Sequence, residues 1–212
     1  MRHVMVLNAK GGCGKSTLAT NIAVFFAREG QQVCIADYDP QQSSLDWLAQ
    51  RPADLPAIAG VRAFEEGVRN VSRSTDILVI DAPARVHGTE LNELVRRAET
   101  IVVPVLPSSI DMKASQHFMT ELLEIGKVSR RQARLALVAN RVRENTLIYE
   151  ELDQYLSKLK VPYLGCLREA QNYVRAYARG MGVLELPEYL ASPDWKQWEP
   201  IGEWLGSKRS QP

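Results

Sequence analysis

Short apolar runs alternate with longer stretches of helical spacing along this chain. The runs are almost continuously apolar instead of alternating with polar residues, which is typical of strands covered on both faces. Such strands separated by helices indicate βαβ units. The predicted strands cover 4–8, 33–37, 77–81, 101–105, 135–140 and 163–166.

Four stretches between these runs place apolar residues three or four positions apart, as on one face of a helix. In the first stretch, Leu18 and Ile22 begin the apolar stripe, and Gly30 follows the helix end. The prolines and glycine within 51–60 predict a loop or an excursion at the sheet edge. We therefore expect an α/β fold, with a mostly parallel twisted sheet and helices on both faces. The predicted helices cover 15–28, 89–97, 112–125 and 147–159.

Composition limits what this chain can be. Its 212 residues suit a single domain over residues 1–212, on which we expect residues 188–212 to pack as a helical extension. Hydrophobic residues at 45% and charged residues at 24% are ordinary for a soluble globular protein. The formal net charge of +1 offers no basic excess, so a nucleic-acid surface would have to be a local patch.

The cysteines and the start of the chain indicate the compartment. The cysteines are far apart and form no CxxC pair, which argues against a disulfide framework and a zinc site. No secretory signal precedes the first strand. No apolar run approaches the ~18 residues that a membrane-spanning helix needs. We therefore expect a cytoplasmic protein.

A glycine-rich segment lies between the first predicted strand and the first predicted helix. Glycines let backbone N–H groups turn inward, and the following helix directs the positive end of its dipole to the same place. Lys15 can reach the terminal phosphates of a nucleotide, and the Ser16 hydroxyl suits a magnesium ion that bridges them. The predicted phosphate-binding residues are Lys10, Gly11, Gly12, Cys13, Gly14, Lys15, Ser16 and Thr17.

One departure from the ordinary phosphate-loop pattern is informative. That pattern requires a glycine where this chain has Ala9, whereas residues 10–17 match Lys-Gly-Gly-x-Gly-Lys-Ser/Thr, the deviant Walker A loop. Here the chain resembles the ParA/MinD family of P-loop ATPases. The resemblance implies that Lys10 crosses a dimer interface to touch the phosphates of the partner's ATP. The alternative is a surface lysine beside a glycine-rich turn.

Acidic residues end two of the predicted strands. Asp37 and Asp39 point to the same side of one strand, which Pro40 stops, and Asp81 closes the other. Ligands bind at the carboxyl ends of strands in open α/β sheets, so these carboxylates would face the phosphate loop. The resemblance implies that Asp37 and Asp81, with Ser16, hold Mg²⁺, and that Asp39 positions or deprotonates the attacking water. The alternative for Asp37 and Asp39 is a pair of solvated loop acids.

Asn140 ends the predicted strand 135–140. The resemblance implies that it reads the adenine edge and so favours ATP over GTP. Apart from the resemblance, an asparagine at a strand end is a common turn former.

The segment after Asp81 departs from the family pattern. The family more often has Asp-Thr-Pro-Pro, where this chain continues with Ala82-Pro83-Ala84. Arg85 and His87 follow, and the resemblance gives them no role. We interpret His87 as a plain surface residue, because it has no ligand partners nearby in the sequence.

The resemblance extends over about residues 3–187. It implies a homodimer that forms when ATP binds and separates after slow hydrolysis. In ParA proteins this dimer binds DNA without sequence preference, and a ParB-like or other adaptor protein stimulates hydrolysis. We therefore expect an ATPase for plasmid or chromosome partition or cargo positioning, which is nucleoid-associated in its ATP state.

A basic segment near the C-terminus is the candidate DNA surface. Arg168, Arg175 and Arg179 are spaced by seven and four residues, which predicts one helix face that could follow phosphates. The alternative is a solvated helix face without a ligand.

Two other functions remain open on the sequence. A MinD-like ATPase would bind a membrane, and tryptophans within 195–205 suit a membrane interface. That segment also carries acidic residues and Pro200, so we expect a helix packed on the core and no membrane partner. The second alternative is a small-molecule enzyme of the same superfamily, such as a synthetase or a nitrogenase-reductase-like electron carrier. The carrier is disfavoured because the cysteines show no spacing typical of cluster ligands.

Overall fold

Seven parallel strands form one sheet at the centre of the described chain. A computed structural model describes the backbone of all 212 residues and every side chain except those of residues 109–111, 113 and 114. The spatial order is β3-β2-β4-β1-β5-β6-β7. The strands are β1 (Arg2–Val6), β2 (Val33–Asp37), β3 (Ile58–Arg62), β4 (Ile77–Asp81), β5 (Thr100–Val105), β6 (Arg134–Val142) and β7 (Tyr163–Arg168).

Helices cover both faces of the sheet, because successive strand residues point to opposite sides. Val4 and Val6 of β1 belong to one core, and Met5 belongs to the other. Among the described residues, none of the helices combines the length and apolar character needed to cross a membrane. The helices are α1 (Lys15–Arg28), α2 (Ser43–Ala49), α3 (Ala63–Glu66), α4 (Gly88–Arg97), α5 (Ser109–Glu124), α6 (Gly126–Ser129), α7 (Leu147–Lys158), α8 (Gln171–Tyr177) and α9 (Glu188–Gly206).

The predicted α/β fold is confirmed. The six predicted strands and four predicted helices are present, with shifts of one to three residues at several ends. The stretch 51–60 is only in part a loop, because its end forms the edge strand β3 parallel to β2. Ile58 of that strand is buried while its two successors are exposed, so the strand lacks the continuous apolar run of the others.

Strand order places the ends of three strands together. β1 lies between β4 and β5, and β4 lies between β1 and β2. The register pairs Val6 with Asp81, and Asp81 with Asp37. The segment after β1 therefore opens beside two carboxylates at the carboxyl edge of the sheet.

The last helix, α9, packs against β7 and α1. Trp198 and Trp204 are 2% and 4% exposed, although Pro193 and Pro200 lie within the helix. Asp194 of α9 is fully buried and accepts hydrogen bonds from Arg168 Nε at 2.6 Å and Asn172 Nδ2 at 2.7 Å. A buried carboxylate thus joins α9 to β7 and α8.

Removal of this carboxylate should destabilise the protein. In an Asp194→Ala variant, Arg168 and Asn172 lose their acceptor in a largely buried place, which should cost about 2–4 kcal/mol. Urea unfolding measures this change. Glu199→Ala, on an exposed position of the same helix, should change stability by less than about 0.5 kcal/mol. Equal stability of the two variants would contradict the structural role of Asp194.

Candidate functional site

The loop between β1 and α1 is held open by hydrogen bonds at its start. Asn8 Nδ2 donates to the Pro104 carbonyl at 2.7 Å, and Asn8 Oδ1 accepts the Lys10 backbone N–H at 3.0 Å. Gly12 and Gly14 have φ angles of 74° and 88°, a left-handed region where a side chain would be strained. The asparagine and the glycines therefore fix a tightly turned loop that leads directly into the N-terminus of α1.

Lys15 is folded into this loop. Its side chain is largely buried, at 7% relative exposure for the residue. Nζ donates to the Lys10 carbonyl at 3.2 Å, and Cys13 Sγ donates to the same oxygen at 3.2 Å. An ammonium group and the positive end of α1 thus converge on one place, which is a setting for an anion such as a phosphate.

Asp37 and Asp81 are both fully buried beside the loop. Asp37 Oδ2 accepts the Ser44 hydroxyl at 2.6 Å and the Ser44 N–H at 3.1 Å, while Asp37 Oδ1 accepts the Asp39 N–H at 2.9 Å. Neither carboxylate oxygen of Asp81 has a hydrogen-bond partner among the described residues. Ser44 was not predicted, because a serine seven residues after an aspartate has no recognisable pattern.

Electrostatics at Asp81 indicate a site for a cation. Burial raises the pKa of the Asp81 carboxyl to about 7, and the Asp37 carboxylate adds to this shift. The Ser16 and Ser44 hydroxyls and the Lys15 ammonium act in the opposite direction. Buried polar atoms without a partner call for an explanation, and carboxylate and hydroxyl oxygens are ligands that Mg²⁺ prefers.

The residues present therefore fit a magnesium ion. Ser16, Asp37 and Asp81 supply oxygen donors, and the predicted metal residues come together at one edge. The described residues contain no cluster of three or more His, Cys, Asp or Glu that could hold a metal alone. This agrees with the usual coordination of Mg²⁺, which binds one or two protein carboxylates and completes its coordination shell with water and substrate phosphates.

A cavity of about 1530 Å³ opens above the loop. Asp39 lines it and is half-buried, and its Oδ1 accepts the Gln41 N–H at 3.0 Å. The volume is ample for a nucleotide, since small-molecule pockets span ~300–1000 Å³. The predicted residues among its lining are Gly11, Gly12, Gly14, Lys15, Ser16, Thr17, Asp39, Asn140 and Arg168.

Asn140 contacts the phosphate loop itself. Its Nδ2 donates to the Cys13 carbonyl at 2.8 Å. A methyl group at Gly14 would lie 2.3 Å from the same nitrogen, so only glycine fits there. Asn140 thus supports the loop, a role that the sequence did not indicate, and adenine recognition stays a prediction.

The single basic helix face predicted for Arg168, Arg175 and Arg179 is wrong. Arg168 ends β7, Arg175 lies on α8, and Arg179 follows that short helix. Arg168 is paired with Asp194, whereas Arg175 and Arg179 are exposed. The spacing failed because a strand and a loop interrupt the helical period. A DNA-binding role of these arginines stays a prediction.

Other arginines at the cavity were missed by the sequence reasoning. Arg141 lies near the end of strand β6, Arg143 lies just after Val142 ends that strand, and both contact Glu169, at 3.0 Å and 2.6 Å. Both also line the cavity. Alternate arginines near a strand end are common on solvated surfaces, so no sequence signal marked them.

Helix α2 connects the acidic residues to α8. Ser44, which holds Asp37, lies on α2, and the preceding Ser43 carbonyl accepts the Tyr177 hydroxyl at 2.5 Å. Trp47 Nε1 donates to the Met181 carbonyl at 3.1 Å. Below them, Arg51 and Glu185 form a buried ion pair at 2.6 Å. A displacement of Asp37 would therefore be transmitted through α2 to α8.

An all-parallel sheet with a lysine-bearing glycine loop before α1 and acidic ends on β2 and β4 defines a P-loop nucleotide-binding protein. The chain belongs to the CobQ/CobB/MinD/ParA nucleotide binding domain family, whose model matches residues 4–183. The predicted membership in the ParA/MinD group of P-loop ATPases is thereby confirmed.

Individual relatives are similar over different shares of the chain. Maintenance of carboxysome distribution protein A of Halothiobacillus neapolitanus is 28% identical over 187 residues, which is 85% of this chain and 86% of that protein. Chromosome-partitioning ATPase Soj of Thermus thermophilus is 32% identical over 139 residues, 50% of this chain and 55% of that protein.

A solved structure agrees with the fold. The septum site-determining protein MinD of Pyrococcus horikoshii, complexed with Mg-ADP, has a TM-score of 0.71 at 15% identity. The match covers 97% of this chain and 96% of that one. At this identity the likeness is one of fold.

The raised pKa of Asp81 predicts a pH dependence of stability. The folded state binds the proton more tightly than the unfolded state, whose carboxyl has a pKa near ~4. This group therefore costs stability progressively as pH rises from ~4 to ~7. In the magnesium-free and nucleotide-free protein, Asp81→Asn should be more stable than wild type by about 2–4 kcal/mol at pH 8.

Urea unfolding at pH 5 and pH 8 checks this expectation. The gain should shrink to roughly a third at the lower pH, because the folded-state carboxyl then keeps its proton while the unfolded-state carboxyl has mostly lost it. Asp54→Asn, at an exposed position, serves as the control and should show no gain at either pH. The same gain at both pH values would contradict a raised pKa at Asp81.

Proposed function

We propose that this protein is an ATP-dependent dimerisation switch that hydrolyses ATP slowly and positions DNA or another cargo. The observation that carries the proposal is the deviant loop, with Lys15 folded inside it and Lys10 exposed at its outer edge. Two lysines in one loop suit two different nucleotides, one bound by each subunit.

The phosphate loop supplies most of the binding. Backbone N–H groups of the loop and the Lys15 ammonium would contact the β- and γ-phosphates of ATP. Ser16, Asp37 and Asp81 would hold Mg²⁺, which on binding neutralises charge that builds up on the transferred phosphate. The buried, partnerless Asp81 carboxylate supports this assignment.

Asp39 is the residue that would orient water. It lines the cavity near the loop, and its backbone N–H is fixed by Asp37 at 2.9 Å. A carboxylate in this place can accept a proton from water or turn it toward the terminal phosphate. Lys10 of each subunit would stabilise the phosphate charge of the partner's ATP, so hydrolysis depends on dimer formation.

We propose that α8 is the surface element that responds to nucleotide binding. Its Arg175 and the following Arg179 are exposed, and α2 links α8 to Asp37 through Ser44 and Tyr177. Nucleotide binding could therefore present these cations to DNA phosphates without sequence preference. An adaptor protein of the ParB kind would then stimulate hydrolysis and release the dimer.

DNA is favoured over a membrane as the surface that the ATP-bound dimer binds. Trp198 and Trp204 are nearly inaccessible, and Trp195 is half-buried with its Nε1 bonded to the Val183 carbonyl at 3.0 Å. Indole rings committed to the core are not available for a lipid interface. Named relatives act in carboxysome distribution and chromosome partition, which also favours positioning of a cargo.

Two lysine variants test the switch. Lys15→Ala should weaken ATP binding about a hundredfold or more, because the loop loses its buried cation. Lys10→Ala should bind ATP within about threefold of wild type yet fail to dimerise, since its charge acts on the partner's nucleotide. Calorimetry measures binding, and light scattering measures the dimer.

Lys160→Ala, at an exposed position away from the cavity, is the matched control and should behave as wild type in both assays. An ATP-dependent dimer of the Lys10→Ala variant would refute the proposed action of Lys10 across the interface.

The DNA surface is tested by a double variant. Arg175→Ala with Arg179→Ala should weaken ATP-dependent binding to random-sequence DNA about tenfold or more and reduce the salt slope by about 2, as for two lost phosphate contacts. A gel shift across a salt series measures both quantities. The control replaces the exposed Arg69 and Arg73 by alanine; equal binding by both double variants would rule out this surface.

A further inference from the structure

Arg85 lies in the loop between β4 and α4, and neither the family pattern nor the assignments above use it. It lines the nucleotide cavity together with Gly11, Gly12 and Lys15. The neighbouring Ala84 Cβ would lie 3.9 Å from a methyl group placed on Gly11, so this loop packs directly on the phosphate loop.

The loop backbone is fixed around Arg85. The Arg85 N–H donates to the Ala9 carbonyl at 2.7 Å, and Val86 is buried. Further along, Glu121 of α5 accepts the Gly88 N–H at 2.6 Å and contacts His87 Nδ1 at 3.0 Å. Arg85 itself has a φ of 63°, which is unfavourable for any residue with a side chain. Such strain persists where the surroundings hold it, and it concentrates at functional sites.

The side chain of Arg85 differs from the other arginines that line the cavity. Arg141 and Arg143 are paired with Glu169, and Arg168 is paired with Asp194. Within the part of the chain whose side chains are described, the Arg85 guanidinium has no carboxylate or carbonyl partner. It is exposed to the cavity with its charge uncompensated.

We propose that Arg85 contacts the terminal phosphate of ATP bound in its own subunit and distinguishes ATP from ADP. This inference rests on the proposed ATPase function. Arg85 comes four residues after Asp81 and shares the cavity lining with Ser16 and Asp39. A guanidinium presents a rigid fork of donors that matches phosphate oxygens, and the contact needs no chemistry beyond charge-assisted hydrogen bonds.

The contact would also report the nucleotide state to the rest of the protein. Without nucleotide, the loop is already held by the Arg85 N–H on the Ala9 carbonyl and by the Gly88 N–H on Glu121 of α5. A terminal phosphate would add a contact to the Arg85 side chain that ADP cannot provide. The Arg85 side chain thus has a physical reason to differ between the ATP and ADP states.

Calorimetric titration of the full chain with AMPPNP and with ADP, both with Mg²⁺, tests the assignment. Arg85→Gly keeps the left-handed backbone without strain and removes the side chain. It should weaken AMPPNP binding about tenfold and change ADP binding by less than about twofold. Arg85→Lys, which keeps the charge but not the fork, should fall in between. Arg73→Ala is the control for loss of an exposed arginine outside the cavity lining.

Equal loss for both nucleotides, or no loss for either, would overturn the role of Arg85. If Arg85→Ala loses AMPPNP binding and Arg85→Gly does not, the backbone explains the effect and the proposal is wrong. Wild-type protein that binds neither nucleotide would refute the proposed ATPase function, and this inference with it. Normal wild-type binding with unaffected Arg85 variants would refute only the inference.

Discussion

The burial of two carboxylates, Asp37 and Asp81, behind the phosphate loop is the constraint around which the site is arranged. They face each other in register at the ends of adjacent strands, and burial raises the pKa of Asp81 to about 7. Like charges without solvent are unfavourable, so the pair needs either a proton on Asp81 or positive charge beside it. Lys15 supplies part of that charge, and the oxygen donors around Asp81 fit a magnesium ion.

Two paths of direct contacts lead away from this pair. One passes from Asp37 through Ser44 to α2 and on to Tyr177 of α8, and the other passes from the β4 end through Arg85 and Gly88 to α5. Apart from the bond of the Ser44 hydroxyl to Asp37, these hydrogen bonds involve backbone groups, which move only if an element moves. A change at the nucleotide would therefore be transmitted both to α8, beside the exposed arginines, and to α5.

Much of this could be predicted from the sequence. Continuous apolar runs located the buried strands, and the positions of Asp37 and Asp81 at strand ends placed them beside the loop. Contacts between residues distant in sequence could not be predicted. The pair Arg168–Asp194 and the bond from Asn140 to Cys13 depend on three-dimensional packing. The basic helix face failed for the same reason, because β7 ends at Arg168.

Calorimetric titration of the wild-type chain with ATP, in the presence of Mg²⁺ or of EDTA, tests the central claim most directly. If Asp37, Asp81 and Ser16 form a magnesium site that completes the phosphate loop, EDTA should weaken ATP binding about tenfold or more, because Lys15 alone then offsets the negative charge of the carboxylates and the phosphates. In the Asp81→Asn variant, replacing Mg²⁺ with EDTA should change the affinity for ATP only slightly. Equal affinity of the wild-type chain with and without Mg²⁺ would contradict the account.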